Sequence, residues 1–582
     1  MKWTLEQTAI IDAKRNLQTR SVAGSGLTET LIAFAKNHRD QRILYVTCTK
    51  KDRQTLSKKF KEEGMDNIKV ETPCSLARKK LGIKSIYVRS YPFAPYEIVQ
   101  LLRIKSSDTV KDLRIAHLCG KLLQHFCHSP LPSLKQTRFE KTLYQNGELA
   151  FFWKHKAAIT GYAQQIITLM QRLEIPILPS FCVKLYEQVK PRLHKDIIIV
   201  DDAHHINPCF AAVLNKQAAV KVICGDVNLH QFQGGHVGNL LYHCHYPIKT
   251  LSTSFIYNQD IADQTRKVLG MKKLLYENFE APIIHGTDLS PEIRTLAVIG
   301  KQRHTVLSSA MILMTHHKNL GKLYFEGGFK KYLSTDDGVS IYDILFLYIG
   351  ERSRIQHPFI SSFASIEQLE EYAIAVDAEE YLGMIEIVKK HRRGLPDLIR
   401  ELKRNLIRRK DPKSMADVIY TSLPEAVHQS YDQVNLLDDF MMVQELQDQI
   451  INRQSVNYVG LEKEINQLYE ACSKARVKLC LPDEFLPDIT TESKIEYEPV
   501  ELGVVDHFNL TGAESALDRQ EIIYSLDRQK RAHQNTFSRW SNEDEHSLKE
   551  LQSQSASVDD MAKQLNRTKS AVTMRLRKIN GK

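Results

Sequence analysis

The apolar residues of the first half of the chain gather into short β-branched runs separated by long amphipathic stretches. "RILYVTCT" (42–49), "DIIIVDD" (196–202), "KVICGD" (221–226) and "TLAVIG" (295–300) are continuous runs, not alternating ones. Runs of that length predict strands buried on both faces, as in a parallel sheet covered by helices. Helical periodicity fills 97–125 and 160–190. A second helix-rich stretch, 340–415, carries the basic clusters "KKHRR" (389–393) and "RRK" (408–410), which read as solvated helix faces or nucleic-acid contacts. Residues 486–535 are mixed and polar and read as a linker. The predicted class is α/β with helical insertions and a small all-α C-terminal unit.

The 582 residues exceed what one hydrophobic core serves, so about three to five domains are expected. The balance of 80 Lys+Arg against 69 Asp+Glu gives +11, which tilts the choice of partner toward a polyanion such as nucleic acid. The ten cysteines contain no CxxC pair and read as reduced thiols of a cytosolic-type compartment. "HCHY" (243–246) and "AHH" (203–205) lack partners at ligand spacing, so no structural metal is expected. The N-terminus lacks the apolar core of a signal peptide, and no apolar run reaches about 18 residues. The expectation is a soluble protein with no membrane partner, cytoplasmic and nucleoid-associated, or nuclear if eukaryotic.

Candidate chemistry begins at "SVAGSGLTETL" (21–31). A phosphate loop directs backbone N–H groups at an anion from a helix N-terminus, with glycines supplying the backbone angles. Gly24, Ser25 and Gly26 suit that cradle, and Thr28 suits a Mg²⁺ ligand. Alone the stretch reads more readily as a Gly-rich turn. "DIIIVDDAHHINP" then ends an apolar strand in Asp201 and Asp202, where a metal-binding acid and a water-activating acid would stand, and "VICGDVNLHQFQGG" delivers Asp226 after another strand. The three elements in this order are far more specific than any one of them.

With these motifs the chain resembles the UvrD-like superfamily 1 DNA helicases, most closely the F-box DNA helicase branch, over about residues 3 to 480. "WTLEQTAII" resembles the adenine-reading motif, which implies Gln7 as the base contact. "ILYVTCTKK" and "ETPCSLARK" fall where the family contacts DNA, implying Thr49, Lys50, Thr72 and Ser75 in that role. "LSTSFIYNQDIA" resembles the family's motif IV, "FEGGFKKY" its glycine-bearing strand turn in the second core domain, "SYDQVNLLDDF" the F-box helicase ending of motif V, and "EINQLYEACSKARVKL" its motif VI. The resemblance implies two RecA-like (P-loop NTPase) domains: 1–80 with 191–275, interrupted by a helical insertion at 81–190, and 276–340 with 416–485, interrupted by one at 341–415. The linker at 486–535 and a C-terminal unit at 536–582 follow. No F-box is expected ahead of a motif that starts at residue 3.

The departures from the family pattern decide the chemistry. The phosphate-binding lysine position is Leu27, the Asp-Glu pair is Asp201-Asp202, and the motif III glutamine and arginine fall on Leu229 and Gly235. The γ-phosphate arginine falls on Ile256 and the arginine finger on Lys474. In motif V the histidine falls on Pro424, and the lysine-Gly-Leu-Glu run reads Val427, His428, Gln429 and Ser430. One positive charge lost about 4 Å from a phosphate is worth on the order of 4 kcal/mol at an effective dielectric near 20, roughly a thousandfold. A missing arginine finger costs about 10³ to 10⁵ in rate, and lysine keeps the charge without the bidentate fork. Leu27 and Ile256 are expected where a triphosphate needs charged partners, which favours a packed cleft over one filled by an anion. ATP and Mg²⁺, the latter on Thr28 and Asp201, are therefore doubtful cofactors.

The tail, 537–582, parses as three helices. Ser541 with Asp544 opens the first, Ser557 with Asp560 the second, and Thr568 the third. Trp540, Leu548, Leu551, Met561, Leu565, Val572 and Leu576 fall at core spacing. The unit resembles a Myb/SANT-like helix-turn-helix. From Lys563 onward it is basic with no acidic side chain, which makes Lys569, Ser570, Thr573 and Arg577 groove-facing candidates and Arg567, Arg575 and Lys578 phosphate contacts. The expected function is DNA binding by a degenerate helicase core that clamps or recruits, with single strand at the core, duplex at the tail, and room for protein partners. An active ATP-dependent 3′→5′ helicase and a protein-interaction scaffold on a dead core are the alternatives.

Overall fold

A computed structural model describes residues 2–481 apart from 144–145, 230–239, 242–243, 277, 317–320, 409–410, 442, 444–445, 448–449 and 451–457, and residues 542–554, 556–565, 572, 575 and 576 beyond them. The linker expected at 486–535 lies outside the described residues. The chain divides into two compact units: Met1–Leu269 with Ala281–Phe440 and Lys463–Pro482, and Gly270–Glu280 with Met441–Glu462 and Asp483–Lys582.

The first unit is α/β and holds two parallel sheets. Sheet one contains β1 (Leu17–Ser21), β2 (Ile43–Val46), β3 (Ile68–Glu71), β4 (Ile197–Val200), β5 (Val220–Gly225) and β6 (Ile248–Leu251), in the spatial order β3-β2-β4-β5-β1-β6. Sheet two contains β7 (Leu296–Gly300), β8 (Leu323–Phe325), β9 (Val418–Ser422), β10 (Tyr431–Leu436) and β11 (Ala475–Cys480), in the order β11-β10-β7-β9-β8. Every pairing is parallel, with Leu17 against Val222 and Gln18 against Ile248 either side of β1. All four residues of β4, "IIIV", are buried, as a strand covered on both faces requires.

The four apolar runs read as strands become β2, β4, β5 and β7. Helices Pro95–Leu102, Thr109–His128, Asn146–Gln171 and Pro179–Gln188 fill the first helical stretch. In the second, Ile341–Tyr348, Ile366–Ala375, Glu379–His391 and Leu395–Arg404 share one core with β8 and β9, through residues such as Met384, Ile399, Leu323 and Tyr420. Helix Leu395–Arg404 buries Leu395, Ile399 and Leu402 at helical spacing and exposes Arg400, Lys403 and Arg404.

In the second unit, Glu462 accepts from Lys272 Nζ at 3.0 Å and Tyr276 OH at 2.7 Å. Helices Asn542–Ser553 and Val558–Gln564 follow, the latter capped by Ser557 Oγ, which accepts from Asp560 N at 3.2 Å. Leu548, Met561, Leu565 and Val572 are buried together, with Leu551 and Leu576 packed against them. Ser541, Trp540 and Thr568 lie outside the described residues. No helix among the described residues is long and apolar enough to cross a membrane.

Candidate nucleotide and nucleic-acid site

The glycine-rich segment joins β1 to the helix Leu27–Lys36. Gly24 at φ 75° and Gly26 at φ 70° take the left-handed backbone that side chains disfavour, so the turn needs glycine at both places. Gly26 is the N-cap and has no side chain to occupy the first N–H groups of the helix. Ser25 N donates to Val22 O at 3.2 Å, which tightens the turn. Gln7 is buried beside it: its Oε1 accepts from Thr4 N at 3.1 Å, and its Nε2 donates to Ser25 O at 3.4 Å. The Gln7 amide is thus tied to the loop.

Asp201 follows β4 and is buried beside β2. Its Oδ2 accepts from Tyr45 OH at 2.7 Å and from Thr28 Oγ1 at 3.3 Å, and its Oδ1 accepts from Asp202 N at 3.1 Å. Burial, and then the neighbouring Asp202, pushes the Asp201 carboxyl up to about 7. Burial, and then Asp52 and Asp226, pushes Asp202 up to about 6. No Lys or Arg among the described residues bonds either group, so nothing cationic offsets that rise. Asp202 stands at φ 52°, a left-handed position for a non-glycine residue. Asp226, after β5, accepts from Tyr469 OH at 2.8 Å, and the same hydroxyl accepts from Ala23 N at 3.4 Å. One tyrosine of the helix Tyr458–Cys472 therefore bridges the end of β5 to the loop.

The segment Ser254–Ile256 stands over the loop. Phe255 N donates to Gly24 O at 2.9 Å. A Cβ built on Gly24 would fall 2.2 Å from Ile256 Cγ1 and 2.8 Å from Ser254 Oγ, so both side chains rest on bare loop backbone. Leu27 is half-buried and packs against the core of sheet one. Burying part of its apolar side chain there is favourable. Lys474, just past the end of the helix Tyr458–Cys472, pairs with Glu470 at 3.3 Å.

Thr49 and Thr72 cap helices Lys50–Glu62 and Pro73–Lys80, which start at the carboxyl ends of the adjacent strands β2 and β3. Thr49 Oγ1 accepts from Asp52 N at 3.0 Å, and Thr72 and Ser75 form a reciprocal capping box. Lys50 is exposed. Buried Glu71 gathers Ser75 Oγ at 2.6 Å, Lys79 at 2.5 Å and Arg53 at 3.7 Å. Two helix N-termini thus lie at the carboxyl ends of adjacent strands, with Lys50 exposed beside one of them. His428 lies 3.9 Å from Asp52. Of the tail candidates Arg575 is half-buried, while Arg567, Lys569, Ser570, Thr573, Arg577 and Lys578 lie outside the described residues, as do Gly235 and His243. No group of three or more His, Cys, Asp and Glu among the described residues is arranged to hold a metal ion.

Sequence reasoning missed Tyr45, Tyr469, Glu470 and the Phe255 backbone. Tyr45 had a legible signal, being a polar-tipped residue inside an apolar strand beside the acidic pair. Tyr469 had none, because its partners are more than 200 residues away.

No family model matches the chain. It is 24% identical over 523 residues to F-box DNA helicase 1 of Gallus gallus, covering 83% of this chain and 49% of that protein. It is 22% identical over 297 residues to F-box DNA helicase protein 1 of Schizosaccharomyces pombe, covering 46% of this chain and 33% of that protein. The chain spans half or less of the length of these curated relatives. It is similar to F-box DNA helicases over most of its own length.

Proposed function

We propose that the chain is a DNA-binding protein built on two RecA-like domains of the UvrD-like helicase type, with a degenerate nucleotide site, so that it holds or recruits to DNA without unwinding it. The observation that carries this reading is Ile256 resting on the backbone of Gly24. Similarity to F-box DNA helicases supports DNA as the partner. Single strand would bind along Thr49, Lys50, Thr72 and Ser75, and duplex at a C-terminal helix-turn-helix.

Thr28 and Asp201, with facing oxygens, fit a Mg²⁺ ion, and Gln7 lies close enough to the loop to fit an adenine contact. The residues around the phosphates do not fit ATP. Ile256 covers the loop, Leu27 packs against the core of sheet one, and Lys474 is engaged by Glu470. DNA-stimulated phosphate release is the test: none is expected. Release that disappears in Asp201→Asn would overturn the reading in favour of an ATP-dependent 3′→5′ helicase, which the retained Gly24–Gly26 turn and the Thr28–Asp201 contact favour. DNA binding absent, or indifferent to salt, would instead favour a protein scaffold.

A further inference from the structure

Two cysteines on different helices meet where sheet one joins the helical stretch that interrupts it. Cys74 is the second residue of helix Pro73–Lys80, which follows β3, and Cys182 is the fourth residue of helix Pro179–Gln188. The two helices pack against each other, and the Cys74 and Cys182 thiols come within hydrogen-bonding reach. The contact is tertiary, since the whole segment 75–181 lies between them in the chain.

Their surroundings differ. Cys74 is half-buried and lines a cavity of about 580 Å³ whose wall also includes Tyr91, itself 68% exposed, so small solutes reach this thiol. Cys182 is fully buried and does not line the cavity. A thiol in the first turn of a helix is favoured as the thiolate. The hydrogen bond from Cys182 holds the Cys74 thiol below its ordinary pKa, with burial opposing and Arg78 assisting. The same contact, and then burial, pushes Cys182 up, so Cys74 ionises first. Cys48 also lines the cavity but is not equivalent: its thiol donates to Asp202 O at 3.5 Å, and burial and then Asp202 push it up. Burial raises Cys119, Cys127 and Cys209 likewise.

An accessible, readily ionised thiol beside a shielded one is suited to stepwise oxidation, one sulfur reacting and the other resolving. We propose that Cys74 and Cys182 form a reversible, peroxide-sensitive dithiol site, in which Cys74 is oxidised first and Cys182 closes the disulfide. The Cys74 thiolate attacks one oxygen of hydrogen peroxide, the O–O bond breaks, and the sulfur becomes a sulfenic acid. The hydroxide released takes the proton Cys74 had given up and leaves as water. The Cys182 sulfur then attacks the Cys74 sulfur, the S–O bond breaks, and the departing hydroxide takes the Cys182 proton as a second water. Two electrons pass from the thiols to the peroxide. The bond clips one helix to the other and encloses 75–181 in a covalent loop. In a reducing compartment such bonds are transient and serve sensing more than stability. The site stands independently of the DNA-binding reading.

The test uses the full chain, reduced, freed of reductant, treated with hydrogen peroxide, and quenched with N-ethylmaleimide in denaturant. Trypsin, cutting after Lys69, Arg78, Arg172 and Lys184, leaves each thiol alone in its peptide, 70–78 and 173–184. Mass spectrometry without reduction is expected to find these two peptides joined, and dithiothreitol to separate them. In Cys182→Ser the joined pair is expected to be lost and dimedone to label 70–78. In Cys74→Ser, peptide 173–184 is expected to stay alkylated by the maleimide. Cys74 is half-buried and serine is close to it in size, so that variant does not threaten folding; should Cys182→Ser fail to fold, the wild-type peptide map decides alone. Peptides 70–78 and 173–184 still fully alkylated after peroxide overturn the proposal. So does Cys74 joined to Cys48 or to a second copy of the chain, or oxidation spread evenly over the ten cysteines.

Discussion

Ile256 rests its side chain on Gly24, so that a single methyl group added to that glycine would fall 2.2 Å from Ile256 Cγ1. The contact places an apolar side chain directly on the loop backbone, and the nucleotide response expected under the proposed function follows from it. The melting temperature of the wild-type chain is expected to be unmoved by millimolar MgATP. A Leu27→Lys, Ile256→Arg variant, which returns two cations, is expected to be raised by it, because a ligand at about a hundred times its Kd adds ~2.7 kcal/mol to the native state. Differential scanning fluorimetry with and without MgATP reads both. A wild-type shift equal to that of the variant would count against the closed loop.

Asp201 makes stability depend on pH in an unusual direction. Its folded pKa, about 7, lies above the unfolded value, so the native state binds the extra proton and stability falls as pH rises through that window. The loss is on the order of 1 kcal/mol. Asp201→Asn is expected to flatten this slope and to be the more stable protein at pH 8. Urea denaturation at pH 6 and pH 8 checks it; a wild-type chain more stable at pH 8 would refute the assignment.

Tyr469 OH serves two partners at once, donating to Asp226 and accepting from Ala23 N. Tyr469→Phe leaves the buried Asp226 carboxylate short of a donor and is expected to cost about 1–3 kcal/mol. Adding Asp226→Asn should recover part of that cost, since the partner left behind no longer carries a charge. Chemical denaturation of the two single variants and the double variant gives the coupling, and additive effects would separate the two side chains.

Deleting 537–582 is expected to reduce affinity for duplex DNA and to make the salt dependence shallower, because every phosphate the tail no longer neutralises takes about one released counterion out of the slope. Single-strand affinity should change far less. Titrations at several salt concentrations on both substrates distinguish this from a tail that does not touch DNA, for which neither slope would move.

Part of this architecture was legible in the residues. β4 was readable because "IIIV" is buried on both faces, which leaves a continuous apolar run, and the Gly24–Thr28 turn because its backbone angles demand glycine. β1 and β6 were not, since "LQTRS" and "IKTL" contain polar residues and gain their strand character from pairing with each other. The same distinction divides the site. Thr28, Asp201 and Asp226 follow strand ends and were found by position. The direction of Leu27, toward the core of sheet one, and the cover supplied by Ile256 depend on packing between distant segments, which local pattern does not encode.

The order of sheet one also sets a timetable. β1 lies between β5 and β6, so its partners are made some two hundred residues after it. At ribosomal speeds of roughly 5–20 residues per second, that strand waits on the order of tens of seconds with both edges unpaired. The Gly24–Gly26 turn follows β1 directly, so its surroundings are completed only when those later strands arrive. That interval, more than the finished molecule, is when the edges of β1 are open to the wrong partner.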